Sequence, residues 1–412
     1  MFSFGKNRRR YFPASTRKAM VRTAVLRDCA TATLRLPTSS PKPMTNVRRP
    51  SQPWTNLGCS PRDLCVTLGN AVRQGRDSFA TGGVDRQVVA MLIDRHKVGP
   101  FLAHLIASSP PRHIAPGIED LIAAAATRQT AIANRCLDGF AIVADHFACA
   151  GVPVVMLKGP AIGERLFGGA ANRGYWDLDI LVHEHHRQTA GELLEGLGFR
   201  RTSSVLFSER LSALFSHGFD YETCDLKVDL HWCLSRSPGI RIDTSAMMQR
   251  AVRFNVGGRE TIILAPEDEL VFELISMFAD IQRGRLRLQA FVDLFAMLRQ
   301  LPRIEWRGFF DRRGAEGCEG ACRGVLGVFL ATLAAESEFP ALAAALGPLP
   351  SFEESLELLA SGSGNGRAKL WAARRMSVSP FRYAAWWVVS LPFRTAASHP
   401  LLRGCAPPRK PG

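Results

Sequence analysis

A chain of 412 residues, 46% of them hydrophobic, has room for two or three domains and is too apolar to be disordered throughout. Its net charge of +15 would mark a nucleic-acid binder if it were evenly spread. Instead, residues 1–50 carry twelve Lys/Arg against the single acid Asp28, residues 361–412 carry nine and no acid, and the remainder is mildly acidic at −5.

The first fifty residues are rich in Arg, Ser, Thr and Pro and lack any sustained apolar period, so residues 1–55 read as a disordered basic leader. No apolar stretch follows the charges, which excludes a secretory signal. The composition resembles a transit sequence, and it also fits translated upstream DNA ahead of a start at Met44. A basic arm on a phosphate backbone is a third, less favoured reading.

Between residues 60 and 150 apolar residues recur at helical spacing: Val88, Val89, Met91 and Leu92, then Val98, Phe101, Leu102 and Leu105, then Leu121 to Ile132 and Leu137 to Val143. Ser109-Pro110-Pro111 separates two of these helices. Asp138 and His146 read as surface groups on the last of them.

Residues 152–182 change character. Val152 to Leu157 is a short, continuously apolar run, as a buried strand would be. Lys158-Gly159 follows, with Pro160 suited to open a helix through Ala161, Ile162, Leu166 and Phe167. A strand-to-helix turn with glycine presents backbone N–H groups and a positive helix end to an anion, and Lys158 adds a full charge. The spacing is not that of a P-loop. A second strand then carries Asp177 and Asp179. Alternation puts both carboxylates on one face and Trp176, Leu178, Ile180 and Val182 on the other, towards the core. Carboxylates this close repel unless a cation joins them, and hard oxygen donors suit Mg²⁺ or Mn²⁺. A solvated strand face is the plainer reading of Asp-x-Asp alone.

Residues 183–196 form a helix closed by Gly196 and Gly198. His183, His185 and His186 open it, but neighbouring helical positions do not converge on one ion. Residues 224–232 alternate again, with Leu226, Val228 and Leu230 on one face and Asp225, Lys227, Asp229 and His231 on the other. Paired beside the first carboxylate strand, Asp229 completes a three-carboxylate site. Asp225 is its rival, and His231 is equally well explained as a residue ending the strand.

Residues 242–300 read as helical, with Pro266-Glu267-Asp268-Glu269 a good helix start and the helix around Phe291 to Phe295 closing the site. Arg283, Arg285 and Arg287 read as a solvated loop within reach of the cleft. Residues 361–366 are a Gly/Ser linker, and the apolar run Tyr383 to Phe393 is too short to span a bilayer, though it suits a membrane surface or the domain's own face. Ten scattered cysteines, with Cys318 and Cys322 alone at close spacing, read as reduced thiols.

Taken together, Leu157-Lys158-Gly159, Arg173, Asp177 to Val182, Leu197-Gly198-Phe199 and Val228 to Trp232 resemble the bacterial uncharacterised nucleotidyltransferase family, within the DNA polymerase β-like superfamily. Weaker echoes run from Asp94-Arg95-His96-Lys97-Val98 to Phe291-Val292-Asp293-Leu294, so the resemblance spans roughly residues 60–300. It implies an α+β fold, a small mixed sheet flanked and extended by helices. It also implies a catalytic core at 151–235 between helical regions at 60–150 and 236–360, with a basic tail at 361–412.

The resemblance further implies transfer of NMP from an NTP to a hydroxyl-bearing acceptor, with release of pyrophosphate. Asp177, Asp179 and Asp229 would hold Mg²⁺ or Mn²⁺, with Asp229 sharing a second ion or accepting the acceptor's proton. Lys158, Gly159 and Arg173 would bind the nucleotide. Arg173 can equally pair with the aspartates. The superfamily's usual Gly-Ser pair is replaced by Lys158-Gly159, which offers no hydroxyl to a phosphate. A small molecule, a peptide or a protein would serve as acceptor, in the bacterial cytoplasm and with no transmembrane helix. The alternative is a protein that keeps the fold to sense nucleotides or bind a partner without turnover.

Overall fold

The computed structural model describes residues 86–108, 117–203, 216–237, 239–301, 304–351 and 354–355. The leader, the 361–366 linker and the apolar run at 383–393 lie outside these residues.

Among the described residues three helices come first: α1 (Arg86–His96), α2 (Gly99–Ser108) and α3 (Ile118–Cys149). The two apolar stretches read at 121–143 belong to the single helix α3, about 48 Å long at 1.5 Å per residue. One stripe accounts for it: Ile118, Ile122, Ala125, Gln129, Ala133, Cys136, Phe140, Val143 and Phe147 are all buried at steps of three and four.

Strand β1 (Val155–Met156) leads into α4 (Lys158–Phe167), then β2 (Leu178–Leu181), α5 (Arg187–Gly196), β3 (Arg200–Arg201), β4 (Gly218–Glu222) and β5 (Lys227–His231). Short 3-10 turns at Ala170–Asn172 and Glu184–His186 precede β2 and α5 respectively. After α6 (Thr244–Arg250), the region read as helical holds a hairpin, β6 (Val252–Val256) and β7 (Arg259–Ile263). Its turn is Gly257-Gly258, at φ 59° and 84°, the left-handed pair a two-residue hairpin turn demands. Helices α7 (Pro266–Arg283), α8 (Leu288–Gln300), α9 (Trp306–Ala315), α10 (Glu319–Leu333) and α11 (Pro340–Leu346) complete the described chain. Pro266 stands in the first turn of α7 with Glu267, Asp268 and Glu269, where the helix dipole favours acids.

The seven strands form one mixed sheet in the order β3-β4-β5-β2-β1-β7-β6. β2 runs parallel to β5 and antiparallel to β1, and β1 runs parallel to β7, so the hairpin extends the sheet past β1. The fold is α+β, as the sequence implied. Leu178, Ile180, Val228 and Leu230 face Phe140, Val143 and Phe147 of α3 and form one core. α7 packs on α8 and α10 around a second, with Phe291, Phe295 and Phe329 fully enclosed. Trp176 departs from the expected alternation. β2 begins only at Leu178, and Trp176 is 54% exposed.

Candidate active site

The parallel pairing of β2 with β5 sets Asp179 directly beside Asp229. Both point away from the α3 core because Leu178, Ile180, Val228 and Leu230 occupy that face. Asp177 stands just before β2, and His231 is the last residue of β5. All four line one cleft of about 780 Å³, together with Lys158, Arg173, Glu273 and Asp280. Asp225, the rival carboxylate, is exposed in the turn ahead of β5 and does not line it.

His231 Nε2 lies 3.0 Å from Asp179 Oδ1. Burial would push the Asp179 carboxyl up, but the His231 hydrogen bond and the charges of His231, Lys158 and Arg173 hold it below the usual range. Burial would likewise pull His231 down, and the Asp179 contact raises it instead. His231 also stacks on His217, with ring centroids 5.4 Å apart. Burial and the neighbouring charges of His231 and Arg283 bring His217 down to about 3.

Asp229 behaves oppositely. Burial, then repulsion from Asp179, Asp220 and Asp177, pushes it up to about 7, against the pull of Lys227. Lys227 Nζ stands 2.8 Å from Asp229, 3.6 Å from Asp220 and 3.7 Å from Asp177. Asp220 is the register partner of Asp229 on β4, so carboxylates run in a row across β2, β5 and β4. Asp177 is also raised, by burial and by Asp179. Asp179, Asp229 and His231 each offer a donor atom, all within 4.8 Å of one another. His231 Nε2 is engaged with Asp179 in this arrangement, so the aspartates are the donors that would hold an ion. The oxygen-rich donor set fits a divalent cation.

The deep basic residues are held from behind. Lys158 Nζ pairs with Glu273 at 2.9 Å, Arg165 pairs with Glu269, and Arg173 Nη2 pairs with Asp293 Oδ2 at 2.8 Å. Arg173 is therefore the partner of Asp293 on α8 and forms no ion pair with Asp177 or Asp179. The acids stand on α7 and α8 and are 2%, 2% and 0% exposed, so α4 and the loop after it are pinned to the helical bundle. Gly159 does not line the cleft. Its φ of 46° and ψ of −118° interrupt the helix, so that Pro160 opens the regular turns. The Leu157 N–H donates to the Asp179 carbonyl at 2.9 Å, which fixes this turn against β2.

His231, Lys227 and Asp220 are the residues sequence reasoning undervalued. The period-two pattern did place Lys227 and His231 on the Asp229 face. Nothing local marked Glu273 as a cleft acid or Asp293 as the buried partner of Arg173.

Among solved structures, the antibiotic-resistance factor ANT(2'')-Ia is 18% identical, with a TM-score of 0.31 over 46% of this chain and 90% of that one. An antigenic nucleotidyltransferase-like protein from Paracoccidioides brasiliensis is 15% identical, with a TM-score of 0.31 over 56% of this chain and 96% of its own. No curated protein matches the chain. The family model for uncharacterised nucleotidyltransferases matches residues 82–331, which contain every strand among the described residues and the whole carboxylate cleft. The chain belongs to that nucleotidyltransferase family.

Proposed function

We propose that the cleft transfers NMP from an NTP to a hydroxyl of an acceptor and releases pyrophosphate. The observation that carries this reading is the in-register pair Asp179 and Asp229 on neighbouring parallel strands, with Asp177 and His231 at the strand ends. Asp177, Asp179 and Asp229 would hold Mg²⁺ or Mn²⁺. When bound, the metal neutralises charge developing on the phosphates and aligns the entering and leaving oxygens.

In this reaction the acceptor oxygen bonds to the α-phosphorus as the bond to the β-phosphate oxygen breaks, and pyrophosphate carries the leaving electron pair. Asp229 would share the ion or accept the hydroxyl proton. His231 orients Asp179. Lys158, on the cleft wall, meets phosphate oxygens, while Arg173 fixes the loop that presents Asp177. No nucleophilic side chain is required, because positioning and electrostatics dominate such chemistry.

Calorimetry with ATP, GTP, CTP and UTP, with and without Mg²⁺, tests the reading. One NTP should bind in a manner that needs both the ion and the aspartates, and Asp177→Ala/Asp179→Ala should abolish it. Binding indifferent to both would overturn the assignment. Metal-dependent binding without pyrophosphate release, across a panel of hydroxyl acceptors, would favour the nucleotide-sensing alternative.

A further inference from the structure

The deep cations of the cleft are committed to buried carboxylates, but the cations at its mouth are not. Lys97, Arg283, Arg285 and Arg287 all line the cleft, and none has an ion-pair partner among the described residues. Their placement follows from the sequence. Gly284 ends α7 in the left-handed conformation at φ 64° and turns the chain. In the segment that follows, Leu286 and Leu288 are buried, which leaves Arg285 and Arg287 on the opposite, exposed side.

Lys97 approaches from the other wall. It adopts φ 62°, a left-handed conformation that a lysine rarely takes. The connector is held there by close packing, because a Cβ on Gly174 would stand 2.2 Å from the Lys97 carbonyl oxygen. Its Nζ lies 3.8 Å above the Trp176 ring, beside Asp177. Burial first, and then the charge of Arg287, brings Lys97 down to about 8. Asp94 acts on Lys97 and Asp280 on Arg283 and Arg287, but none of these acids forms an ion pair with them, so the N–H groups of the four cations stay open to an anion.

We propose that Lys97, Arg283, Arg285 and Arg287 form a polyphosphate-binding arm at the cleft mouth, taking the phosphates of an NTP or of a phosphorylated acceptor. The inference rests on the transferase reading for the identity of the ligand and on the unpaired cations for its location. Lys158 and Arg173 carry internal pairs, so the arm adds positive charge beyond what Lys158 and a metal would give the triphosphate.

Calorimetry on the full chain with tripolyphosphate, without metal, compares wild type with Lys97→Gln/Arg285→Gln/Arg287→Gln. Tripolyphosphate should bind the wild type and bind the variant at least about tenfold more weakly, as the loss of charge-assisted contacts predicts. Equal binding by both, or none by wild type, overturns the proposal. If the triple variant fails to fold, the exposed single changes Arg285→Gln and Arg287→Gln carry the test, and unchanged affinity in both overturns it. ATP that displaces tripolyphosphate identifies the NTP as the source, whereas simultaneous binding identifies a phosphorylated acceptor. Asp179→Asn should leave metal-free tripolyphosphate binding intact. Arm-dependent binding with no pyrophosphate release would therefore refute the transferase reading and leave the arm standing.

Discussion

Arg173 Nη2 and Asp293 Oδ2 lie 2.8 Å apart, 120 residues distant in sequence and both buried. Gln289 Nε2 donates to the second oxygen, Asp293 Oδ1, at 2.8 Å, so the carboxylate is satisfied on both sides. Such a pair adds little net stability against an apolar isostere, but breaking it strands a buried charge. Asp293→Ala should cost about 3–5 kcal/mol in urea unfolding. A loss below about 1 kcal/mol would show that Arg173 finds water or another acid.

His231 acts through Asp179, and that role makes it matter for metal uptake. His231→Gln should weaken Mn²⁺ binding about 10–100-fold, the usual range for residues that ligate or orient a ligand. Asp179→Asn should weaken it at least as much. Unchanged Mn²⁺ affinity in His231→Gln would return the histidine to a structural place at the strand end.

Asp229 ties stability to function. Its folded value of about 7 exceeds the ordinary 3.8, so its contribution to stability is full below 3.8 and is lost as pH rises through 7. Asp229→Asn should therefore raise the metal-free melting temperature at pH 8, with a gain of about 1 kcal/mol. It should also remove the stabilisation by Mn²⁺ that the wild type shows. A lower melting temperature in the variant would mean that the Lys227 pair outweighs the repulsion.

His96 works in the other direction. Its Nδ1 accepts the Leu288 N–H at 3.2 Å, and burial, with Arg95 and Arg287, brings it down to about 3 from 6.5. The unfolded state takes up this proton first. The stability contributed by neutral His96 is present above 6.5 and declines as pH falls towards 3, by at most about 1.4 kcal/mol per pH unit. Unfolding free energies at pH 5 and 7 should draw closer in His96→Asn. An identical drop in both proteins would assign the acid sensitivity to other groups.

Gly174 tests the mouth of the cleft. Gly174→Ala drives a methyl into the Lys97 carbonyl and should cost about 1–3 kcal/mol by overpacking. It should also weaken tripolyphosphate binding by displacing Lys97. A fully stable variant with native affinity would show that the connector yields freely.

What the sequence revealed was whatever one element could encode alone. Period-two alternation placed Leu178, Asp179 and Ile180, and Val228, Asp229 and Leu230, on their correct faces. Pro266 and the acids after it announced α7. Trp176 misled because alternation was carried two residues beyond the start of β2. The β6–β7 hairpin went unread even though Gly257-Gly258 carries a turn signal, because Val252 to Ile263 is short and mostly polar on its exposed side. The pairs Lys158–Glu273 and Arg173–Asp293 join segments more than a hundred residues apart, and no local pattern reports such a meeting.

That distance bears on how the protein can be handled and how it must fold. β1 finds its parallel neighbour β7 only after α6 and β6 have been made, and Lys158, Arg165 and Arg173 wait for acids on α7 and α8. A fragment ending near residue 235 would expose one side of β1 as a raw sheet edge and leave three cations buried or half-buried without counter-ions. On a ribosome the carboxylate strands emerge early and stay unfinished until the bundle arrives, which favours slow maturation and a need for protection from aggregation. The smallest piece that can mature on its own is therefore set by Asp293, far beyond the carboxylate strands β2 and β5.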